Sequence, residues 1–137
     1  MNTAITVDAS VVVNAFSPTE KGSQQSWNFL SEVRQKAVPL IVPTLLLVEV
    51  VASLARKQNN PELPLDWLYE FRRFPHVTWV NLDESLAALA AELAARYRLR
   101  GSDAVYAAVA QRFATTLITL DAEQLERIKP VVAVRMP

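Results

Sequence analysis

Residues 4–14 read AITVDASVVVN, an apolar run of strand length that ends in a carboxylate and leads into a second apolar run. The first four, AITV, fit a short buried strand, since no polar residue but Thr6 interrupts them. Asp8, Ala9 and Ser10 then turn the chain into a helix, with Ser10 the expected N-cap. A strand that passes directly into a helix begins a β-α unit, and such units build parallel sheets.

The same alternation continues outward. The first helix should break near Pro18 and Gly22, and a second helix should cover 23–36. Residues 38–42, VPLIV, read as a strand, and Pro43 and Thr44 open a helix that reaches about Lys57. The asparagines and prolines of 58–64, QNNPELP, predict a loop, after which Asp66 caps a helix to about Arg73. A strand at 77–82 is followed by a helix over 84–98 capped by Asp83. Gly101 should end that element, with Ser102 capping a helix over 103–113. Strands at 116–120 and 131–134 flank a short helix at 122–128. The expected fold class is α/β, a three-layer α/β/α arrangement around a doubly wound parallel sheet of four to five strands. No repeat, linker or low-complexity tract divides the chain, so residues 1–137 are read as a single domain.

Composition narrows the chemistry. The chain has 137 residues, enough to bury about two thirds of its unfolded surface, and 51% of them are hydrophobic. It has no cysteine and one histidine, His76, so thiolate and multi-histidine metal sites are excluded. Only two glycines occur, Gly22 and Gly101, which excludes a Walker loop and a dinucleotide fingerprint. Fourteen basic residues balance fourteen acidic ones, so net charge carries no nucleic-acid signal. MNTAITVDAS has no basic segment followed by a long apolar stretch, so no signal peptide is expected, and the longest apolar run, IVPTLLLV, is too short to span a bilayer and contains a proline. A cytoplasmic protein with no membrane partner is expected.

Most of the acids have ordinary duties. Asp66 and Asp83 precede helices, Glu92 faces Arg96 one turn on, and seven glutamates lie among polar neighbours. Four do not fit so easily. Asp8 and Asp121 end strand-like runs, and the binding crevice of an open α/β sheet lies beyond the carboxyl ends of its strands. Glu49 has Leu45, Leu46, Ala52 and Ser53 as its helical neighbours, an apolar setting that is costly for a carboxylate unless a salt bridge, a helix N-terminus or a functional site compensates it. Asp103 opens a helix, where an acid also suits the dipole. Four carboxylates gathered together would repel one another, and a hard divalent cation held by oxygens would relieve the repulsion.

Four stretches carry a family resemblance: VDASVVVNAF at 7–16, VEVVASLAR at 48–56, GSDAVYAAVA at 101–110 and LITLDAEQL at 117–125. In order and spacing they resemble the PIN-domain ribonucleases, most closely the VapC-like toxins of type II toxin–antitoxin pairs, over essentially the whole chain. The resemblance implies a single PIN-like domain with strand order 3-2-1-4-5. It implies an endoribonuclease dependent on Mg²⁺ or Mn²⁺ whose RNA products carry a 5′-phosphate and a 3′-hydroxyl. Asp8, Glu49, Asp103 and Asp121 match the catalytic and metal-binding acids, and Ser10 and Thr119 match small hydroxyl positions beside them. Asn14, one turn beyond Ser10, is a weaker match. Leu125 stands where the family often has an aromatic residue after the last acid. A cognate antitoxin and a homodimer are the implied protein partners.

Arg96, Arg98 and Arg100 lead into Gly101-Ser102-Asp103 and could hold RNA phosphates, although cations also suit a helix C-terminus. Arg56 and Lys57, after the Glu49 helix, have the same two readings. Trp27, Phe29, Leu30 and Val33 could face the core or a partner, and Trp79 reads as core. Three rivals fit less well. A receiver-like domain needs a lysine after its last strand, and VVAV is followed by none. A DxD phosphatase needs a second aspartate where Ser10 stands. A catalytically silent PIN scaffold, acting in protein or RNA binding, has no need of four acids.

Overall fold

Ile5–Val7 form β1, and all three residues are buried, as expected of a strand covered on both faces. The computed structural model describes residues 3–137; Met1 and Asn2, part of the stretch read for a leader, lie outside the described residues. After β1 come α1 (Ala9–Ala15), α2 (Ser23–Gln35), β2 (Leu40–Pro43), α3 (Leu45–Gln58) and α4 (Glu62–Arg72). Then follow β3 (Val77–Val80), α5 (Glu84–Tyr97), α6 (Gly101–Phe113), β4 (Thr116–Ile118), α7 (Ala122–Ile128) and β5 (Val134–Arg135). The strands form one sheet of five in the order β3-β2-β1-β4-β5, every pair parallel. This is the expected doubly wound α/β/α architecture. Helix α6 lies against β2, β1 and β4 with α5 packed on it, while in a second group α1 packs against both α2 and α3, and α3 against α4.

The chain reverses its direction of travel across the sheet at β1, which pairs with β2 on one side and β4 on the other. Thr6, fully buried, ties all three together: its hydroxyl donates to the Ile41 carbonyl at 2.7 Å and lies 2.6 Å from the Thr115 hydroxyl. The carboxyl ends of β1 and β4 therefore stand side by side, with Asp8 N–H donating to the Ile118 carbonyl at 3.1 Å. That juxtaposition opens a crevice at the switch point.

Several local expectations need correction. Asp8, not Ser10, caps α1, because the Asp8 carboxylate accepts the Ser10 N–H while Ser10 is already helical. The segment 58–64 is not all loop: α4 begins at Glu62, with Asn60 Oδ1 accepting the Glu62 N–H at 3.0 Å. Pro61 and Pro64 fall at the helix start, where a missing N–H costs nothing, so residues read as breakers are initiators. Asp66 consequently lies within α4 and caps nothing. Gly101 starts α6 instead of ending α5, and Ser102 is its second residue, not its cap. The chain leaves α5 at Arg98, whose φ of 54° is in the left-handed region, and Leu99 turns inward and is buried. The strands are shorter than expected, and the fifth lies at Val134–Arg135 instead of 131–134. Among the described residues, no helix is long and apolar enough to cross a membrane.

Candidate active site

Asp8, Glu49, Asp103 and Asp121 line one cleft of about 240 Å³, together with Ser10, Arg100, Ser102 and Tyr106. Four elements supply them. Asp8 leaves β1, Asp121 precedes α7 just beyond β4, Glu49 lies in the second turn of α3, and Asp103 in the first turn of α6.

Asp8 is 5% exposed, the deepest of the four. Burial pushes its carboxyl above the usual aspartate range and nearby Asp103 adds to this, while bonds from Ser10, Thr119 and the Val11 N–H pull the other way. Ser10 Oγ donates to Asp8 Oδ1 at 2.5 Å and accepts the Leu120 N–H at 3.1 Å, so one hydroxyl joins the ends of β1 and β4. Thr119, fully buried, bonds Asp8 and also accepts the Asp121 N–H at 3.1 Å. Both hydroxyls thus hold acids of the cleft.

Asp121 caps α7 through Oδ1, which accepts the Glu123 and Gln124 N–H groups at 3.0 and 3.2 Å, and this leaves Oδ2 for the cleft. Asp103 is also raised, by burial first and by Asp121 last, against the pull of Arg100. Glu49 is half-buried and, among the described residues, pairs with no arginine; Tyr106 Oη donates to its Oε1 at 2.5 Å. Burial holds the Tyr106 phenol far above its ordinary pKa, so it stays a neutral donor. Tyr106 is absent from the sequence reading, although its place three residues after Asp103 puts both on one helix face.

The three arginines expected near RNA separate. Arg100 Nε donates to Asp103 Oδ2 at 3.1 Å and its terminal nitrogen to Asp121 Oδ2 at 2.8 Å, which bridges two of the acids. The Arg100 side chain is 77% exposed, so these bridges are worth about 1 kcal/mol or less and a better cation can displace them. Arg96 pairs with Glu92 on the helix surface, and Arg98 forms the turn out of α5. Asn14 does not reach the four-acid cleft. Its amide donates to the Lys21 carbonyl at 3.0 Å and accepts from Ser26 Oγ at 2.7 Å, pinning the α1–α2 connection. Trp79 and Phe29 are partly buried against the core, Leu30 and Val33 are within it, and Trp27 is exposed.

The donor set suits a hard cation, being entirely oxygen with one deeply buried carboxylate beside a second. Among the described residues no three acids close on one point, so no full ligand sphere is ready-made. Mg²⁺ does not require one, since it is commonly held by one or two carboxylates and keeps several waters.

A doubly wound parallel sheet with an oxygen-lined acidic cleft at its switch point defines an α/β protein suited to divalent-cation chemistry. The profile of the PIN domain matches residues 5–129, so the chain belongs to the PIN-domain family, a family of nucleases. No curated protein sequence matches the chain. Among solved structures it is similar to VapBC2 from Rickettsia felis bound to a promoter DNA fragment, with 16% identity, TM-score 0.73 and 98% of each chain covered. It is also similar to VapC20 of Mycobacterium tuberculosis, a toxin that cleaves the sarcin–ricin loop, with 16% identity, TM-score 0.71, 88% of this chain covered and 92% of that one. DNA-bound VapBC from Salmonella typhimurium is a third, at 16% identity and TM-score 0.70, with 99% and 98% covered.

Proposed function

We propose that this protein is a divalent-metal-dependent endoribonuclease and the toxin of a toxin–antitoxin pair, acting in the cytoplasm. The observation that carries the reading is the convergence of Asp8, Glu49, Asp103 and Asp121 on one cleft from four separate elements. Asp8 and Asp103 are the residues best placed to hold Mg²⁺ or Mn²⁺, with Asp121 Oδ2 and Glu49 completing the acidic wall. When bound, the ion supplies Lewis acidity at a phosphate oxygen and a water of lowered pKa. Ser10 and Thr119 fix the orientation of Asp8, and Tyr106 fixes that of Glu49. Arg100 offsets the charge of Asp103 and Asp121, and would be available to a phosphate if a cation took those carboxylates. The net reaction adds water across a phosphodiester, breaking the P–O3′ bond to leave a 5′-phosphate and a 3′-hydroxyl.

Two surfaces suit protein partners. A cavity of about 410 Å³ between α2 and α4 is lined by Phe16, Trp27, Trp67, Phe71 and Phe74, and among the described residues no acceptor meets the buried Trp67 Nε1 there. It suits an amphipathic antitoxin segment. A second apolar face carries Val48, which is 66% exposed, near Leu47, Val51 and Trp79, and suits a homodimer contact.

The test is cleavage of an RNA panel with Mg²⁺ or Mn²⁺ by wild type, Asp8→Asn and Asp103→Asn. Wild type should cleave, chelator should stop it, and each variant should lose on the order of 100-fold or more, as for removal of a group that stabilises transition-state charge. Variants as active as wild type would overturn the site. The silent scaffold is the alternative, favoured by an arginine already bridging Asp103 and Asp121. Absence of cleavage on every substrate would select it.

A further inference from the structure

A second cleft, of about 600 Å³, opens directly beside the acidic one and shares Ala9, Ser10 and Glu49 with it. Its floor along α3 is set by Glu49, Ala52, Ser53 and Arg56, spaced at the three-, four- and seven-residue intervals of one helix face. Arg56 therefore lies about 10 Å along the helix from Glu49, two turns on. The two residues between them are small, which keeps the floor open. Arg56 is exposed, and among the described residues no carboxylate or carbonyl takes its guanidinium. Its neighbour Lys57 differs, being paired with Glu20, which Asn14 Nδ2 also contacts at 3.4 Å.

An unpaired guanidinium at the far end of an open groove that runs to an acidic centre suits a polyanion that must cross that centre. We propose that the RNA strand lies along α3, with Arg56 holding a backbone phosphate one or two nucleotides from the bond at Glu49. This rests on the nuclease reading and extends it to the path of the strand. The Lys57–Glu20 pair forms the rim of the groove beside Arg56. The contact is to phosphate, so it adds affinity without sequence preference.

The experiment measures anisotropy of a labelled single-stranded RNA across a salt series, with Asp8→Asn in every arm to prevent cleavage. Arg56→Gln should weaken binding several-fold and reduce the slope of log affinity against log salt by about 0.7, the value for one lost contact to a single strand. Arg56→Lys should restore the slope. In cleavage by protein with an intact site, Arg56→Gln should raise KM and leave kcat unchanged. A slope and KM that do not move with Arg56→Gln, in a protein that otherwise binds and cleaves, overturn the strand path alone. Failure of the Arg56-containing protein both to bind and to cleave RNA overturns the path and the nuclease reading together. Matching thermal unfolding of the variants excludes a folding defect.

Discussion

A carboxylate as enclosed as Asp8 costs stability when ionised and uncompensated. Its folded pKa is raised by burial first, so the folded state binds the proton more tightly than the unfolded chain does. By linkage the penalty is largest above the raised pKa, declines as pH falls through it, and is gone near the ordinary value of 3.8. In chelator at neutral pH, Asp8→Asn should therefore raise the melting temperature by on the order of a few degrees, since asparagine also caps helices well. The gain should shrink as pH is lowered, and a thermal-unfolding series from acid to neutral pH checks this. A variant less stable than wild type at neutral pH would mean that the charge is already well compensated. The same residue was legible in sequence as a strand-end acid, but its capping role was not. Ser10 is an equally good cap in isolation, and only the placement of its hydroxyl between Asp8 and Leu120 decides between them.

The elements were legible where apolar runs and breakers agreed. The helix at Glu84–Tyr97 with its Asp83 cap follows directly from the sequence, as does the strand at Val77–Val80, though two residues shorter than expected. The start of α4 was hidden because proline stops a helix in its interior and starts one in its first turn, and local sequence alone does not say which applies. Gly101 misled for a similar reason. It has no positive φ and no atom within 4 Å of an added Cβ, so nothing in the backbone demands glycine there. Buried links between strands are another feature that periodicity cannot reveal. Replacing Thr6 by Val would strand the Thr115 hydroxyl in a buried position and should cost about 1–3 kcal/mol. The double variant Thr6→Val with Thr115→Val should recover part of that loss, because both partners are then apolar. Chemical denaturation of the two variants checks this, and additive losses would show that the pair is not coupled.

Over the whole molecule, the order β3-β2-β1-β4-β5 is what makes a site from distant residues. It sets Asp8 and Asp121 at neighbouring strand ends, an arrangement the sequence supports through the β-α alternation and the switch-point rule. The arrival of Glu49 and Asp103 rested mainly on the family resemblance, since helix orientation is fixed by packing that no local pattern records. Arg100 was legible as a cation near the cleft but not as a bridge between two of its acids. The proposed chemistry requires these acids to share a divalent cation. It is tested most directly by titrating Mn²⁺ into wild type and into Asp8→Asn and Asp103→Asn, with free Mn²⁺ followed by electron paramagnetic resonance. Wild type should bind Mn²⁺ saturably, and each substitution should weaken binding at least about tenfold, the scale of losing one charged ligand of a metal. No saturable binding to wild type, or equal binding by all three proteins, would contradict it.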